Sequence, residues 1–388
     1  MKNGIALLLM FSLMLGLGVP VMAADEKKVP MADYAPSAKS AVLIDSDTGT
    51  ILYEKDKDIK LPPASITKIM TLLLIMEALD QGKLTLNEKV RTSDYAASMG
   101  GSQIFLQSGE EMKVDEMIKG IAMASGNDAS VAMAEKLAGS EEAFVNMMNE
   151  RAKELGMKNT HFVNCNGLPA DNHYSSAYDI AIMSRELLKH QEVTKYTGAY
   201  QDYLRKDSEK PFWLVNTNKL VRFYPGADGI KTGFTTEARF CLSATAKRDS
   251  LRVIGVVMGE PDTKTRNAEV SRLFDFAFSQ YTSYPIIKSG DPIGTLTIDK
   301  GKENRVSLQA KHPYSVLLKK GEAKGEISYK LIVDKTITAP ITAGQKVGTL
   351  EIYRNNNKIN EMNVESPVNV QKAGWWTLFK RTFAELTS

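Results

Sequence analysis

The stretch Pro62–Met76, PPASITKIMTLLLIM, places a lysine in the first turn of a helix that is otherwise apolar on every side. Positions three apart share a helical face, so Ser65 and Lys68 can meet within hydrogen-bond range. The two prolines favour an extended approach, which puts Ser65 at the helix start, where backbone N–H groups are unpaired. A serine there is also an ordinary N-cap. Lys68 is harder to explain in that way. The run Ile69–Met76 implies a helix buried within the protein, where an ammonium is costly and its pKa is depressed. A lysine made neutral by burial can take a serine's proton, which makes serine a nucleophile without histidine.

Outward from this helix, 388 residues allow two domains, and a formal charge of +3 gives no reason to expect a nucleic-acid partner. Residues 1–23 carry one lysine, an apolar stretch from Ile5 to Leu17 and the small-residue pattern Val21-Met22-Ala23, which reads as a secretory signal peptide cut after Ala23. A retained anchor is the alternative, disfavoured because the stretch is short and broken by glycine and proline. With only Cys165 and Cys241, an exported chain of this size relies on its core and not on a disulfide framework; two unpaired thiols are the simpler expectation.

A polar linker spans 24–36. The segment AVLIDSDTGTILYEK predicts a hairpin near Ala41–Glu54, helical patterns run from Ser65 to about Tyr196, and strand patterns return in GADGIKTGFT, RFCLSATAKR and SLRVIGVVMG. A helix is expected from about Thr265 to Ser279. The helical block is thus inserted between the strands of one sheet, in a domain covering 37–283. From 284 to 370 short alternating runs predict a small all-β sandwich. In 371–388, QKAGWWTLFKRTFAELTS, the residues Trp375, Trp376, Phe379, Phe383 and Leu386 gather on one side of a helix too short to span a bilayer. The expected role is an anchor lying in the membrane surface; a helix docked on the β domain is the alternative.

Four histidines, His161, His173, His190 and His312, lie in no recognisable catalytic context, and no His-Glu-x-x-His, Gly-x-Ser-x-Gly or P-loop pattern occurs. Two further segments join the serine–lysine pair. Ser125-Gly126-Asn127 sits between helical runs and offers a hydroxyl for proton relay and a carboxamide for a substrate amide, though the same triplet is ordinary helix-connecting chemistry. Lys231-Thr232-Gly233 lies in a predicted strand: Lys231 offers charge, Thr232 a hydroxyl for a carboxylate, and Gly233 lets a ligand backbone come close. Ser-x-x-Lys, Ser-x-Asn and Lys-Thr-Gly each occur once, in that order.

With these motifs the chain resembles the penicillin-binding DD-peptidases, specifically the low-molecular-mass D-alanyl-D-alanine carboxypeptidases. The resemblance extends over GGSQIF, NGLPADNHYSSAYD, the VVMGEPDTKTRNAE region, the β domain and the tail. It implies an α/β catalytic fold, an antiparallel sheet with a mostly helical subdomain, and removal of the terminal D-alanine from peptidoglycan stem pentapeptides through a Ser65 acyl-enzyme. Lys68 would be the general base and Ser125 the proton relay with Lys231. Asn127 would align the peptide. The oxyanion would rest on the backbone N–H groups of Ser65 and Phe234, and Thr232, Lys231 and Arg266 would take the terminal carboxylate. Without the resemblance, Arg266 is as readily a surface salt bridge. Penicillins would acylate Ser65, no cofactor or metal is expected, and layouts of this kind in endospore-forming Gram-positive bacteria imply work on the cell wall or spore cortex. A β-lactamase is the second reading, kept open by Asp171 in NGLPADNHYSS; a DD-endopeptidase or transpeptidase is the third, and a catalytically dead scaffold the fourth.

Overall fold

The computed structural model describes residues 32–333 and 337–387, the last six by backbone alone. The expected signal peptide and most of the 24–36 linker therefore lie outside the described residues, as do the side chains of Phe383 and Leu386.

Five antiparallel strands form the central sheet: β1 Ser40–Asp45, β2 Ile51–Lys55, β3 Ala227–Thr235, β4 Arg239–Arg248 and β5 Leu251–Glu260, in the order β2-β1-β5-β4-β3. The register pairs Ala41 with Val257, Ser243 with Val256 and Lys231 with Ser243. Side chains alternate across a strand, and here both faces are covered. Val42, Ile44, Ile254 and Val256 face the helical block, whereas Ala41, Leu43, Val253 and Val257 face the opposite layer. Double coverage explains the nearly unbroken apolar runs of β1 and β5. The β1–β2 turn is closed by Asp45, whose carboxylate accepts from the Thr48 N–H and hydroxyl at 2.7 and 2.6 Å.

The block inserted between β2 and β3 contains α1 Lys68–Asp80, α2 Asn127–Ala138, α3 Glu141–Glu154 and α4 Ala177–Leu187. Every residue of α1 from Lys68 to Met76 is buried, so the all-round apolar sequence reflects a central helix. Each large apolar side chain buried there contributes roughly 1.5–3 kcal/mol. The other layer is α5, Thr263–Gln280, which packs Val270, Leu273, Phe274 and Ala277 on the sheet. It starts two residues before the predicted Thr265 because the Asp262 side chain caps it, accepting from the Thr265 N–H at 2.8 Å.

Helix α5 ends at Gln280, and the next strand, Tyr281–Ile287, pairs with Tyr314–Lys319. Residues 281–283 thus run with the β domain, three residues earlier than the boundary expected at 283/284. Strands Pro292–Thr297 and Arg305–Gln309 pair, as do Ile327–Val333, Lys346–Arg354 and Asn357–Glu365, around a core of Leu296, Leu308, Val316, Leu350 and Ile352. The last helix, α6, spans Trp375–Thr387. Its Arg381 guanidinium donates to the carbonyls of Gly301 and Lys302 at 2.7 and 2.6 Å, while Trp375 and Trp376 stay 67% and 68% exposed. The two tryptophans are therefore not docked on the β domain. None of the described helices is long and apolar enough to cross a membrane.

Candidate active site

Ser65 lies in a 3-10 turn, Ala64–Thr67, that runs directly into α1. The turn is held under tight constraint. Ala64 has φ +49°, a left-handed conformation unusual for alanine, and two glycines permit it. A Cβ on Gly167 would lie 1.9 Å from the Ala64 carbonyl oxygen, and one on Gly233 would meet the Pro63 oxygen at 2.9 Å. Gly233 was expected to admit a ligand backbone. Within the protein it lets β3 pass close to the nucleophile turn.

Lys68 is fully buried, and its Nζ has three partners: Ser65 Oγ at 3.1 Å, Asn127 Oδ1 at 2.6 Å and the Asn166 carbonyl at 2.5 Å. Burial pushes its pKa down to about 7 against the smaller opposing effects of Cys165 and Asp128. A neutral amine has two N–H donors and one lone pair. The two carbonyl oxygens can accept the N–H groups, which leaves the lone pair for the Ser65 hydroxyl. The arrangement can thus take a proton from serine and keep all three contacts in the charged state.

Asn127, expected to align a peptide, is also held within the protein by its carboxamide. Its oxygen accepts from Lys68, its Nδ2 donates to Gly100 O at 2.7 Å, and its backbone N–H donates to Ser102 O at 2.7 Å. Ser125, with φ +64°, caps the Gly120–Ala124 turn; its buried hydroxyl has no hydrogen-bond partner among the described residues. Lys231 is 1% exposed and donates to the Thr232 carbonyl at 3.2 Å, so no bond to Ser125 closes the expected relay. Thr232 donates to Thr217 Oγ1 at 2.8 Å. Phe234 is 55% exposed, with its ring 4.4 Å from that of Phe240.

Arg266 is buried on α5, not part of a surface salt bridge, and its Nε and Nη2 donate to Asn267 Oδ1 at 3.1 and 3.0 Å. Burial lowers its pKa to about 10 and pulls Lys231 well below the usual lysine range, with the charges of Lys68 and Arg266 adding to the latter shift. Among the described residues none of the three forms an ion pair with a carboxylate. Glu260, whose charge Arg266 would feel, is itself pushed up to about 8, first by burial and then by Glu269 beside it. Among the described residues neither Glu260 oxygen has a hydrogen-bond partner. Lys68, Lys231 and Arg266 are thus three buried basic groups without a carboxylate partner among the described residues, a setting that favours an anionic ligand.

Three contributors escaped the sequence reading. Asn166 acts through a backbone carbonyl, which leaves no side-chain signature. Thr217 has no motif of its own. Asp128 follows the Ser-x-Asn triplet, and its carboxylate accepts from the N–H groups of Ile104, Leu106 and Ala129, fastening the Gly100–Leu106 wall to Asn127. A buried acid next to a catalytic motif was the available signal. His173 has a structural role: its Nδ1 accepts from Val163 N–H at 2.9 Å, so Nε2 donates to Thr67 Oγ1 at 2.8 Å, and burial lowers its pKa to about 4. Cys165 and Cys241 are buried free thiols.

The family described as D-alanyl-D-alanine carboxypeptidase matches residues 26–262, and the one described as penicillin-binding protein 5, C-terminal domain, matches residues 281–372. The chain is 52% identical to D-alanyl-D-alanine carboxypeptidase DacF of Bacillus subtilis over 98% of its length and 97% of that protein. It is 32% identical to DacC of Escherichia coli, over 94% of this chain and 92% of that one. The crystal structure of penicillin-binding protein 5 from Haemophilus influenzae superposes with a TM-score of 0.66 at 30% identity, covering 87% of this chain and 98% of that chain. The chain belongs to the D-alanyl-D-alanine carboxypeptidase family of serine peptidases.

Proposed function

We propose that Ser65 attacks the carbonyl between the two terminal D-alanines of a peptidoglycan stem peptide. The observation that carries this reading is the three-way anchoring of a buried, depressed-pKa lysine against the serine hydroxyl. The Oγ–C bond forms as the hydroxyl proton passes to Lys68 Nζ, and the oxyanion is held by the N–H groups of Ser65 and Phe234. Collapse breaks the C–N bond, and Ser125 and Lys231 pass a proton to the departing D-alanine amine. Ser125 is well suited to this step because its buried hydroxyl has no hydrogen-bond partner among the described residues. Water then hydrolyses the ester. The terminal carboxylate is taken by Lys231, Thr232 and Arg266; its arrival favours the protonated form of Lys231 and so arms the relay.

A penicillin, which presents a strained amide and a carboxylate, should form a long-lived ester with Ser65. Incubation of the soluble protein, residues 24–370, with fluorescent penicillin is expected to give a covalent adduct absent from Ser65→Ala, and a pentapeptide ending in D-Ala-D-Ala is expected to release D-alanine. Rapid penicillin turnover without D-alanine release would instead identify a β-lactamase.

Export and attachment to the membrane surface belong to the same proposal. Export rests on the signal-peptide pattern of residues 1–23, and attachment on the exposed aromatic side of α6, with Trp375 and Phe379 stacked at 5.4 Å and Arg381 holding the helix to the β domain. Tryptophans at headgroup depth suit such a helix. Removal of residues 371–388 is expected to shift the protein from the membrane to the soluble fraction; an unchanged distribution would overturn the anchor.

A further inference from the structure

The carbonyl that meets Lys68 Nζ at 2.5 Å belongs to Asn166, in a stretch without helix or strand, so its direction must be set by side chains around it. Two anchors lie close by. The hydroxyl of Thr71, three residues beyond Lys68 on α1, donates to the Cys165 carbonyl at 2.6 Å, and the Gly167 N–H donates to Asn164 Oδ1 at 2.7 Å. Because peptide groups are planar, these two bonds fix the planes on either side of Asn166. A third anchor comes from a different element. The Cys165 N–H donates to Oε1 of Glu141, the first residue of α3, at 3.0 Å.

Glu141 serves here as an acceptor. Its Oε2 accepts from the hydroxyl of Tyr95, on the short helix Asp94–Ala97, at 2.7 Å, so both of these donors are neutral. Capping of α3 falls to Ser140, whose side chain accepts from the Ala143 N–H, and this leaves the Glu141 carboxylate to reach across to the loop. Glu135 and Glu142 line the same surface cavity and add negative charge without a donor for Glu141. One carboxylate thus joins α3, the 94–97 helix and the loop that faces Lys68.

We propose that Glu141 is a positioning residue for acylation: by holding the Cys165 N–H it aims the Asn166 carbonyl at Lys68 Nζ and so orients the amine toward Ser65. The proposal rests on the reading of Lys68 as the base. A carbonyl holds an ammonium more strongly than a neutral amine, so a well-aimed Asn166 carbonyl favours the charged form and opposes the effect of burial. If that carbonyl drifts, the midpoint of the pH–rate curve must fall, and the plateau rate must fall with the loss of orientation. The other titratable groups acting on Lys68, Cys165 beside it, Asp128 on α2 and Lys231 on β3, are untouched by substitution at Glu141.

The test is the second-order rate constant for β-lactam acylation between pH 5 and 9, measured on the full-length protein and its variants Glu141→Asp and Glu141→Gln. Aspartate keeps the charge but is one methylene too short to reach the Cys165 N–H. Glutamine loses the charge but keeps an acceptor for that N–H and a donor for the Tyr95 oxygen. Glu141→Asp is expected to lower the half-maximal pH by about half a unit and the plateau rate by about tenfold. Glu141→Gln is expected to keep the wild-type midpoint and a plateau within about twofold. Aspartate suits the first turn of a helix, and the midpoint is read only on molecules that become labelled, so partial unfolding does not move it. A midpoint that moves in Glu141→Gln, or one that stays in place in Glu141→Asp, overturns the proposal while leaving Lys68 as the base. A wild-type rate without pH dependence overturns the base reading, and the proposal with it.

Discussion

Lys68→Arg is expected to lower the rate of Ser65 acylation by about three orders of magnitude while preserving the positive charge, because positioned general bases contribute roughly 10²–10⁴ in rate. Arginine remains protonated at any pH the fold survives, so it has no lone pair for the serine hydroxyl. The slot also fits an amine: Asn127 Oδ1 and the Asn166 carbonyl converge on a single nitrogen at 2.6 and 2.5 Å, a pattern that a planar guanidinium cannot reproduce. Stopped-flow acylation by a chromogenic β-lactam checks this, with thermal unfolding as the control for folding. A variant that acylates within tenfold of wild type would show that Lys68 supplies charge and not basicity.

Gly167→Ala is expected to be the most damaging substitution outside the motifs. The residue has φ +86°, and an added Cβ would sit 1.9 Å from the Ala64 oxygen and 2.9 Å from the Ser65 nitrogen. Backbone cannot yield as a flexible side chain can. The nucleophile turn and the Gly167 loop must separate, at a cost of roughly 3 kcal/mol or more. The same displacement would shift the Ser65 N–H, one of the two proposed oxyanion donors, so acylation should fall more than tenfold at temperatures where the variant remains folded. Denaturant unfolding and penicillin labelling measure the two effects separately. Wild-type values in both would mean that the contact relaxes without cost.

The sequence disclosed the parts of this molecule whose chemistry is carried by side chains at fixed spacing. Ser65 and Lys68 announced themselves as an i, i+3 pair in a helix too apolar to expose a lysine, and burial of Lys68–Met76 is the structural counterpart. The strands of the sheet were legible because their apolar runs are bounded by turns, and α5 was displaced only by the Asp262 cap. Less visible were features made by backbone or by long-range contact. Asn166 contributes a carbonyl, Asn127 turns its amide inward to the lysine, and Gly233 relieves a clash with a turn about 170 residues away in sequence. The strand Asn357–Glu365 had no clear signal of its own, since NKINEMNVE is mostly polar and only Val364 in it is buried.

The central claim is that burial makes Lys68 the base that activates Ser65. The most direct test is the second-order rate constant for β-lactam acylation of the wild-type protein between pH 5 and 9, a quantity that reports the ionisation of the free enzyme. Burial sets the Lys68 pKa near 7, so the amine is protonated and inactive below that value and neutral above it. The rate should rise with pH, about tenfold per unit well below pH 7, with a half-maximal point near 7 and a loss of slope above 8. A rate that does not change between pH 5 and 8, or one still climbing tenfold per unit at pH 9, would contradict the account.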